Sequence, residues 1–256
     1  MKKYNWQYIH EQLMYHFRLK SLPVAVKYYQ DKKVMMAIPG MVLAEKQCVP
    51  CLAVGRAAQL GVATGITTDH FNYDYCRTVN GFKKRDDKWF SAEPFVDRWN
   101  KTKEAAKAHH CALIEMPYLN EGFVAAPLQS GIIKEPDACV LYANPEQAFW
   151  ILASTMNEEY KKINFTFVGE STCNDAWIKT TVTGDIGIGI GSNGERVYGG
   201  LPQDELMISM KADDIIKAIE GAVNMKKGRE RLAYPIPAFS LVGDVSCVRN
   251  PAFDGF

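Results

Sequence analysis

An α/β fold, a mixed sheet flanked by helices and arranged as two similar, intimately packed lobes, is the architecture expected of this chain on three grounds. Short apolar runs alternate with stretches in which apolar residues recur every three to four positions. Helix-start and helix-stop signals separate the two kinds of segment. Several strand candidates follow one another with no helix between them, which points to a mixed sheet rather than a purely parallel one.

Trp6, Ile9, Leu13 and Phe17 are spaced as one face of an amphipathic helix over residues 5–19. Residues 23–29 (Pro-Val-Ala-Val-Lys-Tyr-Tyr) read as a strand, and Pro39-Gly40 as a turn. Residues 51–60 carry the small side chains Ala53, Gly55, Ala57 and Ala58 of a closely packed helix, with Pro50 in its first turn and Gly61 as its stop. Residues 62–92 hold short strand-like pieces and turn formers, and residues 93–108 look helical and charged. Residues 113–115, 124–126 and 138–142 are short apolar runs of the sort that form buried strands. Asn144-Pro145-Glu146-Gln147 combines a helix cap, a first-turn proline and a capping-box glutamine, and Phe149, Leu152 and Met156 continue that helix. A strand over 164–168 should lead to a helix capped by Ser171 or Thr172 and closed by Gly184. Residues 206–210 read as a strand, and Ile215, Ile216, Ile219, Ala222 and Val223 mark a last amphipathic helix.

The 256 residues suffice for one large domain over residues 1–233, with lobes 20–130 and 131–233, and for a core that needs no disulfide. A strand, a cysteine at a helix start and a glycine-rich turn occur once between Cys48 and Gly81 and again between Cys173 and Gly200. That echo fits two lobes sharing a cleft, or the coincidence any α/β chain can show. Residues 234–256, with prolines and end glycines, read as an extended arm wrapping the domain or a partner, including a second copy of this chain.

Hydrophobic residues at 47% and charged residues at 23% are ordinary for a globular protein. The 30 basic and 29 acidic residues nearly cancel, which argues against an extended nucleic-acid face or an anionic-membrane surface. The opening residues lack the apolar core of a secretory signal, and no later stretch reaches spanning length, so a cytoplasmic protein is expected. In a reducing compartment, seven widely spread cysteines point to metal binding, reactivity or burial rather than bridges.

Cys48-Val-Pro-Cys51 places two thiols at the start of a helix, where unpaired N–H groups and the helix dipole favour thiolate. Cys173 stands at another helix start, and Cys76 lies beside Arg77. Four thiolates could hold an iron–sulfur cluster, with zinc as the alternative metal. A redox dithiol using the CxxC alone and inert burial are the competing readings. Cys111, Cys139 and Cys247 lie in apolar stretches and read as packing residues.

Gly189, Gly191 and Gly194 spell GxGxxG, yet no helix is expected to follow, so the dinucleotide reading fails. Gly187, Gly189 and Gly191 instead alternate with isoleucines, as close packing or as a floor for a small-molecule ligand, with Arg77 and Arg196 as anion holders. That floor would also suit a metal-free binding or regulatory module. His109-His110-Cys111 reads as a solvated helix end, whereas His70 and Glu115 are the acid/base candidates.

Leu22-Pro-Val-Ala-Val26, Cys51 with Ala57-Ala58 and Gly61, Cys76 with Gly81, Ala126-Pro-Leu128, Pro136-Asp137 with Val140, Asn144-Pro145, Cys173 and the Ser192 to Arg196 turn form an ordered set. Together they resemble the prokaryotic family known as domain of unknown function 169, over about residues 10–225. The resemblance implies a bacterial or archaeal cytoplasmic protein, often from anaerobes, which suits an oxygen-sensitive cluster. Similar sequences often carry a further cysteine in the turn that here reads Gly191-Ser-Asn-Gly194. Its replacement shifts the ligand set toward Cys48 or Cys51 with Cys76 and Cys173. The leading expectation is therefore an iron–sulfur protein running redox or lyase-type chemistry on a small molecule.

Overall fold

One seven-stranded sheet runs through both halves of the chain in a computed structural model that describes residues 4–227 except Lys46 and Asn72. Its strands are β1 (Val24–Tyr29), β2 (Val42–Leu43), β3 (Thr64–Thr67), β4 (Gly122–Pro127), β5 (Ala138–Ala143), β6 (Gly187–Gly189) and β7 (Leu206–Met210). They lie in the order β2-β3-β4-β1-β5-β7-β6. Only the β2–β3 pair is parallel, so the sheet is mixed as expected. Central β1 joins the halves: Val24 pairs with Pro127 of β4 on one side and Val140 of β5 on the other.

Alternation along the strands sorts side chains onto two faces. Val24, Val26 and Tyr28 of β1 join Phe123, Ala125, Val140 and Tyr142 in one core. Ala25 joins Val124, Ala126, Cys139 and Leu141 in the other. The second core is roofed by α1 (Trp6–Phe17), α2 (Lys32–Met36), α7 (Pro145–Thr155) and α10 (Ala212–Lys227). Each long helix starts where its sequence says it should. Asn5 accepts the Tyr8 N–H ahead of α1, and Asn144 and Gln147 cap α7 reciprocally behind Pro145.

The first core, which contains the cysteines of interest, is covered by α3 (Pro50–Leu60), α4 (Asp74–Val79), α5 (Asp87–Ser91), a π-turn at Asn174–Ile178 and α8 (Lys179–Thr183). Gly61 ends α3 in the left-handed conformation at φ 69°, and Gly184 ends α8 at φ 76°. Two further short helices complete the described chain, α6 (Lys103–Ala112) and α9 (Asn193–Val197).

Three local expectations change. Residues 113–115 form no strand, because the Asn174 side chain accepts the Ile114 N–H at 2.8 Å and donates to its carbonyl at 2.9 Å, replacing a neighbouring strand. Residues 164–168 are irregular as well: the Asp175 carboxylate accepts from the Thr166 hydroxyl and the Val168 N–H. Helix α6 begins only at Lys103, after a 3-10 turn at Glu93–Phe95. The arm over 234–256, and with it Cys247, lies outside the described residues.

Candidate functional site

Cys51 is the second residue of α3, behind Pro50, and Cys48 precedes the helix with its N–H bonded to the His70 carbonyl at 2.9 Å. Cys76 lies on α4, and Cys173 immediately precedes the π-turn. The structure brings Cys51, Cys76 and Cys173 close enough for the charge on each to act on the others. Cys48 also acts on Cys51, and itself responds first to burial and then to Arg56 and the Val49 carbonyl. Among the described residues, no three His, Cys, Asp or Glu side chains converge tightly enough for a single metal ion. One zinc would need its thiolates within about 2.3 Å of a common point. A cluster of several irons spreads its thiolates wider.

The turn 191–200 closes the site. A β-carbon on Gly55 would stand 2.3 Å from the Gly199 carbonyl oxygen, so α3 rests directly on that backbone. A β-carbon on Gly194 would stand 3.8 Å from the Cys51 sulfur. Ser192 caps α9, contrary to the expectation that no helix follows the glycine pattern, although five residues make a weak dipole. The Glu195 carboxylate accepts the Ser192 N–H at 3.1 Å, the Ser192 hydroxyl at 2.5 Å and the Cys173 N–H at 3.1 Å. Buried Glu195 thus ties α9 to the Cys173 backbone.

Electrostatics reverses the expected thiol acidity. Burial pushes Cys48 up to about 11 and Cys76 up to about 12, the latter helped by the charges of Glu195 and Glu170. Burial, then Glu195, then the neighbouring thiols hold Cys51 and Cys173 well above the ordinary range. Loss of water therefore outweighs the helix-start effect. Without a cation these sulfurs are neutral thiols at neutral pH; a bound cation would displace their protons.

A buried polar network positions the sulfurs. The Tyr28 hydroxyl donates to Asn80 Oδ1 at 2.7 Å and accepts from Trp177 Nε1 at 3.1 Å. Asn80 Nδ2 in turn donates to the Cys76 carbonyl at 3.0 Å. Central β1 is thereby connected to α4 and to the π-turn. Tyr28→Phe leaves the Asn80 oxygen and the Trp177 N–H unpaired in the core, and should lower stability in urea unfolding by about 1–3 kcal/mol.

Backbone strain adds to the picture at Ser171, whose φ of 67° lies in the left-handed region two residues before Cys173. Inside the π-turn Ala176 has φ −92° and ψ −108°. Such departures cost free energy and concentrate at functional positions.

The other candidates take separate positions. His70 engages both ring nitrogens with backbone, Nδ1 accepting from the Thr67 N–H at 2.9 Å and Nε2 lying 2.7 Å from the Ala44 carbonyl. Glu115 is an exposed partner of Arg85 at 3.9 Å. Arg77 faces Asp74 at 3.4 Å. Arg196 donates to the Pro202 and Ile190 carbonyls, each at 2.7 Å, and so shapes the turn. Gly187 and Gly189 are covered by Ala176 and Thr172, whose atoms would meet added β-carbons at 2.2 and 2.4 Å. Gly191 faces Leu201 in the same way at 2.3 Å. At these three glycines the floor is closed by protein.

The exposed histidine tract is corrected at His110, which is buried among Tyr75, Trp89 and Phe95. Its Nδ1 donates to the Trp89 carbonyl at 2.8 Å, leaving Nε2 buried without a partner. Burial lowers its pKa below the ordinary 6.5. Below about pH 6.5 the unfolded chain therefore binds the proton that the folded chain refuses, and stability falls with added acid. The urea midpoint of His110→Phe should depend less steeply on pH between about 7.5 and 5.5 than that of the parent. Buried His10, shifted the same way, supplies a residual slope. Cys111 is exposed and Cys139 buried in β5.

A cleft of about 430 Å³ is lined by Trp99, Phe167, Glu170, Ile190, Ser192 and their neighbours, with no cysteine among them. It is linked to the sulfurs through Glu170, whose charge acts on Cys76 and Cys173. A larger open groove of about 880 Å³ lies on the opposite face, against α7 and α10, without a cysteine in its lining. Glu170 joins cleft and sulfurs: burial and then the Glu195 charge push its carboxyl up to about 7, against a hydrogen bond from Ser192. Glu170 and Glu195 are the two residues that sequence reasoning passes over. Ser192-Asn-Gly-Glu195 is a capping-box pattern and signals Glu195; Glu170 has no signal beyond its place three residues before Cys173.

No helix among the described residues is long and apolar enough to cross a membrane. No curated protein and no solved structure matches the chain. The family model DUF169, described as uncharacterised ArCR, matches residues 12–221, so the chain belongs to that family.

Proposed function

We propose that this protein holds an iron–sulfur cluster on Cys51, Cys76 and Cys173 and serves redox or lyase-type chemistry on a small molecule in the adjoining cleft. One observation carries the reading: three cysteines from α3, α4 and the 171–174 turn pack in or against one core on one face of the sheet, where the charges of Cys51 and Cys76 reach Cys173. Such a cluster supplies one-electron transfer, and with three protein thiolates it also supplies an iron open to a substrate oxygen or nitrogen. The rest of the chemistry belongs to the chain. Glu195 fixes the Cys173 backbone, the Tyr28 network fixes α4, and burial of Cys51 and Cys173 keeps water from those two sulfurs, while Cys76 is partly exposed. Glu170, with its carboxyl at about 7, is suited to give or take a proton in the cleft at neutral pH.

Burial of both Cys48 and Cys51 as raised thiols weighs against a redox dithiol, which needs an exposed, acidic sulfur. The test is strictly anaerobic purification followed by an absorption spectrum and iron and sulfide analysis. Brown protein carrying both elements is expected. Colourless protein free of both would overturn the proposal.

A further inference from the structure

The cleft that Glu170 links to the sulfurs has an uneven chemistry. Its apolar surfaces come from Trp99, Phe167, Val168 and Ile190, and of these Trp99 and Phe167 leave 49% and 65% of their surface exposed. Its polar groups are Glu170, Asn100, His109, Ser192 and Asn193, and no lining residue is a lysine or arginine. His109 is already engaged as a brace, with Nε2 donating to the Glu170 carbonyl at 3.3 Å and Nδ1 lying 3.3 Å from the Asn100 side-chain oxygen. Arg196 is committed to two carbonyls, and Arg98 and Lys101, which flank Trp99 and Asn100 in the chain, do not belong to the lining.

We infer that the cleft binds a small organic cation, an amine or a protonated nitrogen heterocycle, with Glu170 as its counter-ion and the Trp99 and Phe167 rings as its walls. Aromatic faces attract cations through the ring quadrupole, and indole does so best. The carboxylate supplies the opposite charge in a partly dehydrated place. Burial and then the Glu195 charge oppose the ionisation of Glu170, with a hydrogen bond from Ser192 acting the other way, and a bound cation offsets that opposition. An anionic substrate would meet Glu170 with no lysine or arginine in the lining to offset it. The inference rests on the proposed sulfur site for its purpose; its test does not need the metal.

Benzylammonium, benzyl alcohol and benzoate share one ring and differ in charge, which makes them suitable probes for calorimetric titration of the full-length protein. Benzylammonium is expected to bind at least tenfold more tightly than benzoate, with benzyl alcohol between. Glu170→Gln should abolish the preference for charge, and Trp99→Leu should weaken benzylammonium while keeping its lead over benzoate. Each variant is checked for an unchanged urea midpoint, and Trp99→Leu, at an exposed position, covers the case in which Glu170→Gln does not fold. Equal or tighter binding of benzoate, a preference that survives Glu170→Gln, or no binding of any probe would overturn the inference. Titration and iron analysis of the same anaerobically purified parent protein keep the two readings apart. Cation preference without iron leaves the cleft inference standing and the cluster fallen; iron without cation preference does the reverse.

Discussion

Cys76→Ser and Cys173→Ser should each lose bound iron by more than about a hundredfold in affinity, because removal of a group that merely orients a ligand already costs about 10- to 100-fold. Cys51→Ser should behave the same way. Cys48→Ser and Cys111→Ser should retain iron, since the proposed ligands are Cys51, Cys76 and Cys173, Cys48 precedes α3, and Cys111 is exposed on α6. Iron per chain after anaerobic purification, compared with the far-ultraviolet circular dichroism of each variant, separates ligand loss from unfolding. Equal iron in all five variants would remove Cys51, Cys76 and Cys173 from the ligand set.

A second large effect concerns the metal-free protein, whose buried thiols should be sluggish toward iodoacetamide at neutral pH. With Cys76 pushed from 9.0 up to about 12, its thiolate fraction falls about a thousandfold, while the greater nucleophilicity of a more basic thiolate returns part of the loss. The net slowing is roughly 30- to 60-fold before access is counted. Cys48, at about 11, should lag by roughly tenfold, and exposed Cys111 should label first among the described cysteines. Mass spectrometry of timed digests reads the order. Fastest labelling at Cys48 or Cys51 would restore the acidity that a helix start alone predicts.

That contrast shows where sequence reasoning stops. Helices α1, α7 and α10 are legible because periodicity and caps are local, and Asn144 with Gln147 announces α7 before any tertiary contact is known. The cores of β1, β4 and β5 are legible as apolar runs for the same reason. Residues 113–115 and 164–168 are not, since their backbone partners are the side chains of Asn174 and Asp175, far away or across a turn. Cysteines can be picked out by type and by their place at helix starts, but the direction of their pKa shifts depends on burial that only packing creates. His70 and Glu115 illustrate the opposite limit. Both have the right chemistry for proton transfer, yet one serves a backbone turn and the other faces outward beside Arg85. Glu170 owes its unusual carboxyl first to burial and then to Glu195, 25 positions away (195 − 170), and no spacing rule announces either.

X-ray absorption at the iron edge of anaerobically purified protein tests the sulfur site most directly. The account predicts a shell dominated by sulfur together with an iron–iron scatterer, both lost in Cys76→Ser. Iron surrounded by oxygen and nitrogen alone, or a spectrum unchanged by that substitution, would contradict it.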